Sequence, residues 1–187
     1  MFNHHRGFWG YAGVSLEDGQ PLMIQGTGVG GPSLVSVVSD LVELGVKQFV
    51  RVGTATGSPQ TRVGDLVVSS RSTSTDGVSQ ALGAEPETAA APFLLETAEE
   101  LLLDIAKVGL TNSSDLQPHL NTEIEWDGVL ARDLSTSGLY SVAAHLEVEA
   151  LSLLVISNVG GSTIDDDDLE AAVTRAGVTA EAILAAS

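Results

Sequence analysis

Arg51 is the residue from which chemistry can be argued first. It lies in Gln48 to Val52, a β-branched and aromatic run that reads as a strand reaching Gly53 and Thr54. A guanidinium at the end of a buried strand needs an anionic partner, because desolvating it alone is expensive. Two partners meet that need: a bound oxyanion such as phosphate, or a local carboxylate of this acid-rich chain. Thr54 adds a hydroxyl and a backbone N–H, so Arg51, Gly53 and Thr54 together suit one wall of an anion site.

A glycine turn precedes that strand. Gly26, Gly28 and Gly31 satisfy the GxGxxG spacing of dinucleotide-binding turns in a strand-to-helix context. The same fingerprint needs an acid ending the next strand, where it binds a ribose hydroxyl, yet here that strand ends Phe49-Val50-Arg51-Val52-Gly53 with a cation. Glycines that let a helix pack closely on a strand satisfy the spacing equally well. Other chemistries find little support. His4, His5, His119 and His145 show no metal-ligand spacing with nearby acids, so no metal site is predicted. The absence of cysteine removes thiol nucleophiles, disulfides and thiolate metal sites. Four consecutive acids, Asp165 to Asp168, point in different directions around a helix start and lack a calcium-loop pattern, so they read as capping charge.

The elements that must position these residues follow from periodicity. Leu22 to Gln25 is a short strand, and Leu34, Val37, Val38, Leu41, Val42 and Leu44 recur at helical spacing until Gly45. Val63 to Ser70 forms a strand, and the polar stretch Ser69 to Glu87 reads as a loop. Pro92 opens a helix whose apolar positions run from Leu94 to Ile105, with Gly109 as its stop. Gly138 to Leu146 is a further helix, Ala150 to Ser157 a fully apolar central strand, and Thr163 the N-cap of a last helix running to Ala186. The alternation predicts an α/β fold, one domain over residues 1–187 with a mostly parallel or mixed central sheet flanked by helices.

Composition bounds the function. With 187 residues, 43% of them apolar, and a mean hydropathy of +0.22, the chain can bury one substantial core. A net charge of −17 repels fixed polyanions, which argues against nucleic-acid binding. No secretory signal and no apolar run of the roughly 18 residues needed to span a bilayer is found, so a soluble, cytoplasmic protein without membrane attachment is expected. Lysine occurs only at Lys47 and Lys107 beside 25 acids, a balance that predicts adaptation to high salt.

Three segments in this order resemble the purine nucleoside and uridine phosphorylase family: Asn3 to Gly13, Gln25 to Ser33, and Leu44 to Thr54. Gly64-Asp65-Leu66-Val67-Val68 and Thr75-Asp76-Gly77 continue the likeness, and weaker similarity covers Thr111 to Gln117 and Gly138 to Asn158. The resemblance implies a pentosyltransferase in which inorganic phosphate, the co-substrate, attacks the anomeric carbon of a nucleoside while the base departs, with no cofactor. It assigns phosphate to Arg51, Gly53, Thr54 and Gly28, with Arg6 reaching into the site of a neighbouring subunit. It places His4 or His5 over that neighbour's sugar, Asp133, Leu134 and Ser135 at the ribose, Gln117 at the base, and Asn158 as the catalytic contact to the base beside Arg51. Sites shared between chains imply a homo-oligomer built from dimers, or assembly with a full-length paralogue.

Departures from the family pattern accompany the matches. Family members begin with an additional strand and a Gly-Asp-Pro phosphate loop, and the expected reading is a domain lacking both. Where the family carries Glu-Met-Glu before the helix at Gly138, this chain has Asp133-Leu134-Ser135, so one serine oxygen replaces a carboxylate that accepts from two ribose hydroxyls. Gln117 stands where an aromatic residue stacks on the base, with His119 and Trp126 nearby. Asn158 can donate and accept hydrogen bonds but cannot deliver a proton. These losses leave two alternatives to phosphorolysis: a non-catalytic paralogue that acts as an oligomer subunit or binds nucleosides, and a nucleosidase that uses water.

Overall fold

Apolar alternation and glycine turns build two sheets in the computed structural model, which describes residues 2–117, 120 and 126–186. β1 (Phe2–His5), β2 (Phe8–Val14) and β3 (Pro21–Gln25) form a three-stranded antiparallel meander, with His4 opposite Trp9 and Tyr11 opposite Ile24. The likeness segment at the N-terminus is thus a hairpin, whose strands periodicity did not disclose because both faces carry aromatic and small residues.

The second sheet curls on itself. It comprises β4 (Gln48–Gly57), β5 (Leu66–Ser74), β6 (Glu87–Ala89), β7 (Ala106–Ser113), β8 (Val129–Asp133), β9 (Glu149–Val159) and β10 (Ser162–Thr163) in the order β10-β9-β4-β8-β7-β5-β6. An added antiparallel pairing of β9 with β5 joins β9, β4, β8, β7 and β5 into a closed five-stranded ring. The sheet is mixed: β4 with β9, β5 with β7 and β7 with β8 run parallel, while β4 with β8 and β5 with β9 run antiparallel.

One end of the ring's interior is apolar, filled by Ala55, Val67, Ala131, Leu154 and Ile156. Toward the other end it is polar: Ser69 Oγ meets Thr111 Oγ1 at 2.7 Å, and Ser72 Oγ meets Ser113 Oγ at 3.3 Å. That polarity corrects the loop expected over Ser69 to Glu87. β5 continues to Ser74 because Ser69 and Ser72 face hydroxyl partners inside the ring, and α2 (Gly77–Ala81) follows, capped by Asp76 Oδ1 accepting from the Ser79 N–H at 2.9 Å. Gly109 likewise stops no helix. It lies within β7, where the Leu130 side chain sits so close that an added Cβ would come within 2.7 Å of it.

Helices cover the ring. α1 (Gly31–Glu43), α3 (Pro92–Leu101) and α4 (Thr136–His145) share the main core with β5 and β9 through Leu34, Val38, Leu94, Leu139, Leu151 and Leu153. α5 (Asp166–Ala185) packs Ala172 and Ala176 on Val155. Its N-cap is Asp165, which accepts from the Asp168 N–H at 2.9 Å, rather than Thr163, which pairs with Asn158 in β10. Among the described residues no helix is long and apolar enough to cross a membrane.

Candidate active site

The ring has an open seam between β4 and β8. These strands pair only at Thr56 with Arg132 and Gly57 with Ala131, after which β8 ends at Asp133 and the chain turns into α4. Arg51, Gly53 and the turn Asp133 to Ser135 therefore face one another across the gap. In β4 the Arg51 side chain folds flat over Gly53, and a Cβ at position 53 would stand 2.6 Å from Nη2. Gly53 is what gives the guanidinium room to lie along its own strand.

Arg51 is held from three sides. Nη1 is 2.8 Å from Asp133 Oδ2, and it donates to Ser152 Oγ at 3.1 Å and to Thr136 Oγ1 at 3.3 Å. Ser152 is opposite Arg51 in the parallel β4/β9 register, so a serine within the apolar run of one strand meets the lone cation of its neighbour. The partner of Arg51 is thus a carboxylate, one of the two solutions its burial demanded. The pair is asymmetric, with side-chain exposures of 17% for Arg51 and 0% for Asp133. Asp133 also accepts from Thr136 Oγ1 at 2.8 Å, the Thr136 N–H at 3.1 Å and Ser113 Oγ at 2.5 Å. Four donors match the roughly four lone-pair positions of a carboxylate, so the acceptor capacity of Asp133 is used within the chain and not turned toward a ribose. Arg51 differs: the contacts described run through Nη1, and Nε and Nη2 keep their donors.

The network extends inward. The Ser137 N–H donates to Ser113 Oγ at 3.0 Å, and Ser137 Oγ donates to the buried Asp76 in a short hydrogen bond. Tyr140, wholly buried, donates to the Ser69 carbonyl at 2.5 Å and accepts from the Ser152 N–H at 3.1 Å. Desolvation pushes its phenol pKa well above the ordinary value, so it stays neutral. Ser113, Ser152, Thr136 and Ser137 carry no sequence signal as site residues, because buried hydroxyls have no periodicity, and Asp76 enters the sequence reading only within the Thr75-Asp76-Gly77 likeness.

The remaining predicted residues scatter around this core. Thr54 is exposed, and strand alternation puts its side chain on the face opposite Arg51, so only its backbone borders the guanidinium. Gly28, at φ 74°, is packed under the Phe8 ring, where a Cβ would lie 2.5 Å from Cζ. Arg6, on the β1–β2 turn at φ 48°, forms an ion pair with Asp40 of its own chain, which raises its pKa through a hydrogen bond and then through charge. His4 and His5 lie on β1, with side chains outside the described residues, as does all of His119. Leu134 lines a cleft of about 570 Å³ with Val29, Gly30, Pro32, Gly77, Val78 and Asp115. Ser135 is buried, Gln117 is exposed beside the cleft-lining Asp115, and Asn158 is half-buried in β9, its Nδ2 donating to Ser157 Oγ at 3.2 Å.

The family model described as the phosphorylase superfamily matches residues 1–187. A DeoD-type purine nucleoside phosphorylase of Geobacillus kaustophilus is 35% identical over 170 residues, covering 84% of this chain and 70% of that protein. One from Caldanaerobacter subterraneus is 33% identical over 171 residues, covering 84% and 72%. A third, from Alkaliphilus metalliredigens, is 31% identical over 180 residues, covering 89% and 76%.

Proposed function

Because the chain belongs to the phosphorylase superfamily, we propose that it catalyses phosphorolysis of a nucleoside to free base and ribose 1-phosphate, with inorganic phosphate as co-substrate and no cofactor. Its relatives are purine nucleoside phosphorylases, which favours a purine nucleoside. The observation that carries the reading is Arg51. Its guanidinium is fixed at an open strand edge by Asp133, Ser152 and Thr136, all through Nη1, which orients Nε and Nη2 for an oxyanion beside Gly53 and the Thr54 backbone.

The Arg51–Asp133 pair is neutral, so a phosphate dianion there calls for a second cation. Arg6 of a neighbouring copy supplies it in a homo-oligomer built from dimers, at the cost of its exposed pairing with Asp40. His4 or His5 then closes over the neighbour's sugar, and Leu134 and Ser135 border the ribose. Gln117 and Asn158 are the contacts to the base, and Gly28 shapes the turn beneath. Asp133 acts as the residue that holds Arg51. Residues 1–187 act as one domain, assembled with copies of the same chain or with a paralogue.

Base release from inosine and from uridine, followed with and without phosphate, tests this. Release that requires phosphate is expected. Release at equal rates without it would instead indicate a nucleosidase, and none under either condition would indicate a non-catalytic subunit, the reading that Ser135 and Gln117 favour.

A further inference from the structure

Phosphorolysis leaves a problem at the base. The glycosidic electron pair departs with it, and Asn158 has no proton to give. On the strands around Asn158 the register supplies a cation. Thr56 pairs with Asn158 on one side and with Arg132 on the other, so Arg132, Thr56 and Asn158 form one row across β8, β4 and β9. The outer two are two strand spacings apart, about 10 Å. Ala131 and Asp133 turn into the ring, which sends Arg132 to its outer face.

Arg132 is also directed along its strand. Its guanidinium carbon lies 5.2 Å from the centre of the Trp126 ring. Trp126 precedes β8, so stacking on it draws the guanidinium toward the sheet end where β9 carries Asn158. Both Arg132 and Trp126 are half-buried, accessible yet partly dehydrated, which strengthens the field of a cation.

We propose that Arg132, held on Trp126, is the group that stabilises negative charge on the departing base, in place of a proton donor at position 158. The inference rests on the phosphorolysis reading. A phosphate oxygen bonds to the anomeric carbon as the carbon–nitrogen bond breaks, and the pair of electrons goes to the base. Arg132 stays protonated throughout, and the base takes up, through solvent, the proton that the phosphate hydroxyl releases. Arg132 is a catalytic residue in this scheme and Trp126 a positioning one.

The test compares a purine nucleoside with its N7-methylated counterpart, whose base carries a positive charge and leaves without assistance. Arg132→Leu is expected to lower kcat on the ordinary nucleoside about 100-fold, and on the methylated one less than about threefold. Arg132→Lys should recover part of the loss, and Trp126→Leu should lose about tenfold on the ordinary substrate alone. Equal losses on both substrates, or none on either, overturn the proposal while phosphorolysis stands. Lack of turnover by the unaltered protein with both nucleosides overturns the two together.

Discussion

Arg51 and Gly53 show how a single absent atom can decide a site. Gly53 has an ordinary strand conformation, so alanine there strains no backbone. The harm lies in the methyl group, which would stand 2.6 Å from Nη2 of a guanidinium fixed by three partners. Gly53→Ala is expected to displace Arg51 and raise the phosphate KM about tenfold, while adding little in an Arg51→Ala background, since a shared cause makes the two changes non-additive. Steady-state kinetics on the four proteins of that cycle check it, and additive losses would show that Gly53 acts independently. Asp133→Ala leaves a largely buried cation unpaired and is expected to lower stability by about 3 kcal/mol in urea unfolding. The need of Arg51 for an anion was readable from its place in an apolar strand. That the anion is Asp133 was not, because 82 positions separate them and only the β8–α4 turn brings them together.

At the scale of elements, the ring's polar end is held by α4, whose Tyr140 links β5 to β9 through the Ser69 carbonyl and the Ser152 N–H. Tyr140→Phe leaves both backbone groups buried without that partner and is expected to cost about 2 kcal/mol near neutral pH. The pH dependence has a definite sign. Burial raises the folded phenol pKa above its ordinary value of 10.0, so above pH 10 the unfolded chain releases a proton that the folded chain retains. Tyr140 therefore stabilises fully below pH 10, and its contribution falls by about 1.4 kcal/mol per pH unit above it. The gap in stability between the unaltered protein and Tyr140→Phe should narrow from pH 9 to pH 11, and a constant gap would mean that the phenol is not desolvated. The same elements explain what the sequence disclosed. β4, β9, α1, α3, α4 and α5 were legible because each has an apolar face toward the main core or under α5. β5 beyond Ser70 and β7 were not, because they turn serine, threonine and asparagine inward and inward polar residues read as loop, and β8 was not, because five residues ending in Arg132 and Asp133 give too short an apolar alternation.

Over the whole molecule, net charge acts where no single contact does. Among the described residues Arg6, Arg51, Arg71 and Lys107 pair with Asp40, Asp133, Glu87 and Asp65, and 25 acids against 8 bases leave most acids without a basic partner however the bases pair. Salt acts on two opposing terms. It weakens the exposed pairs, but such pairs contribute roughly 0 to 1 kcal/mol each, so little is lost. It also screens the repulsion of 17 excess charges, and the Debye length falls from about 10 Å at 0.1 M to about 3 Å at 1 M, shorter than most distances between surface acids. Repulsion wins by number, and the melting temperature is expected to rise by about 4 to 8 °C between dilute and molar KCl, equivalent to roughly 2 kcal/mol for a chain of this size. Screening should act mainly below about 0.5 M, whereas a general strengthening of apolar burial grows steadily with salt and is stronger for sulfate than for chloride. A melting temperature that stays flat, or climbs linearly and faster in sulfate, would place the acidic surface outside stability and remove the case for a protein fitted to high salt.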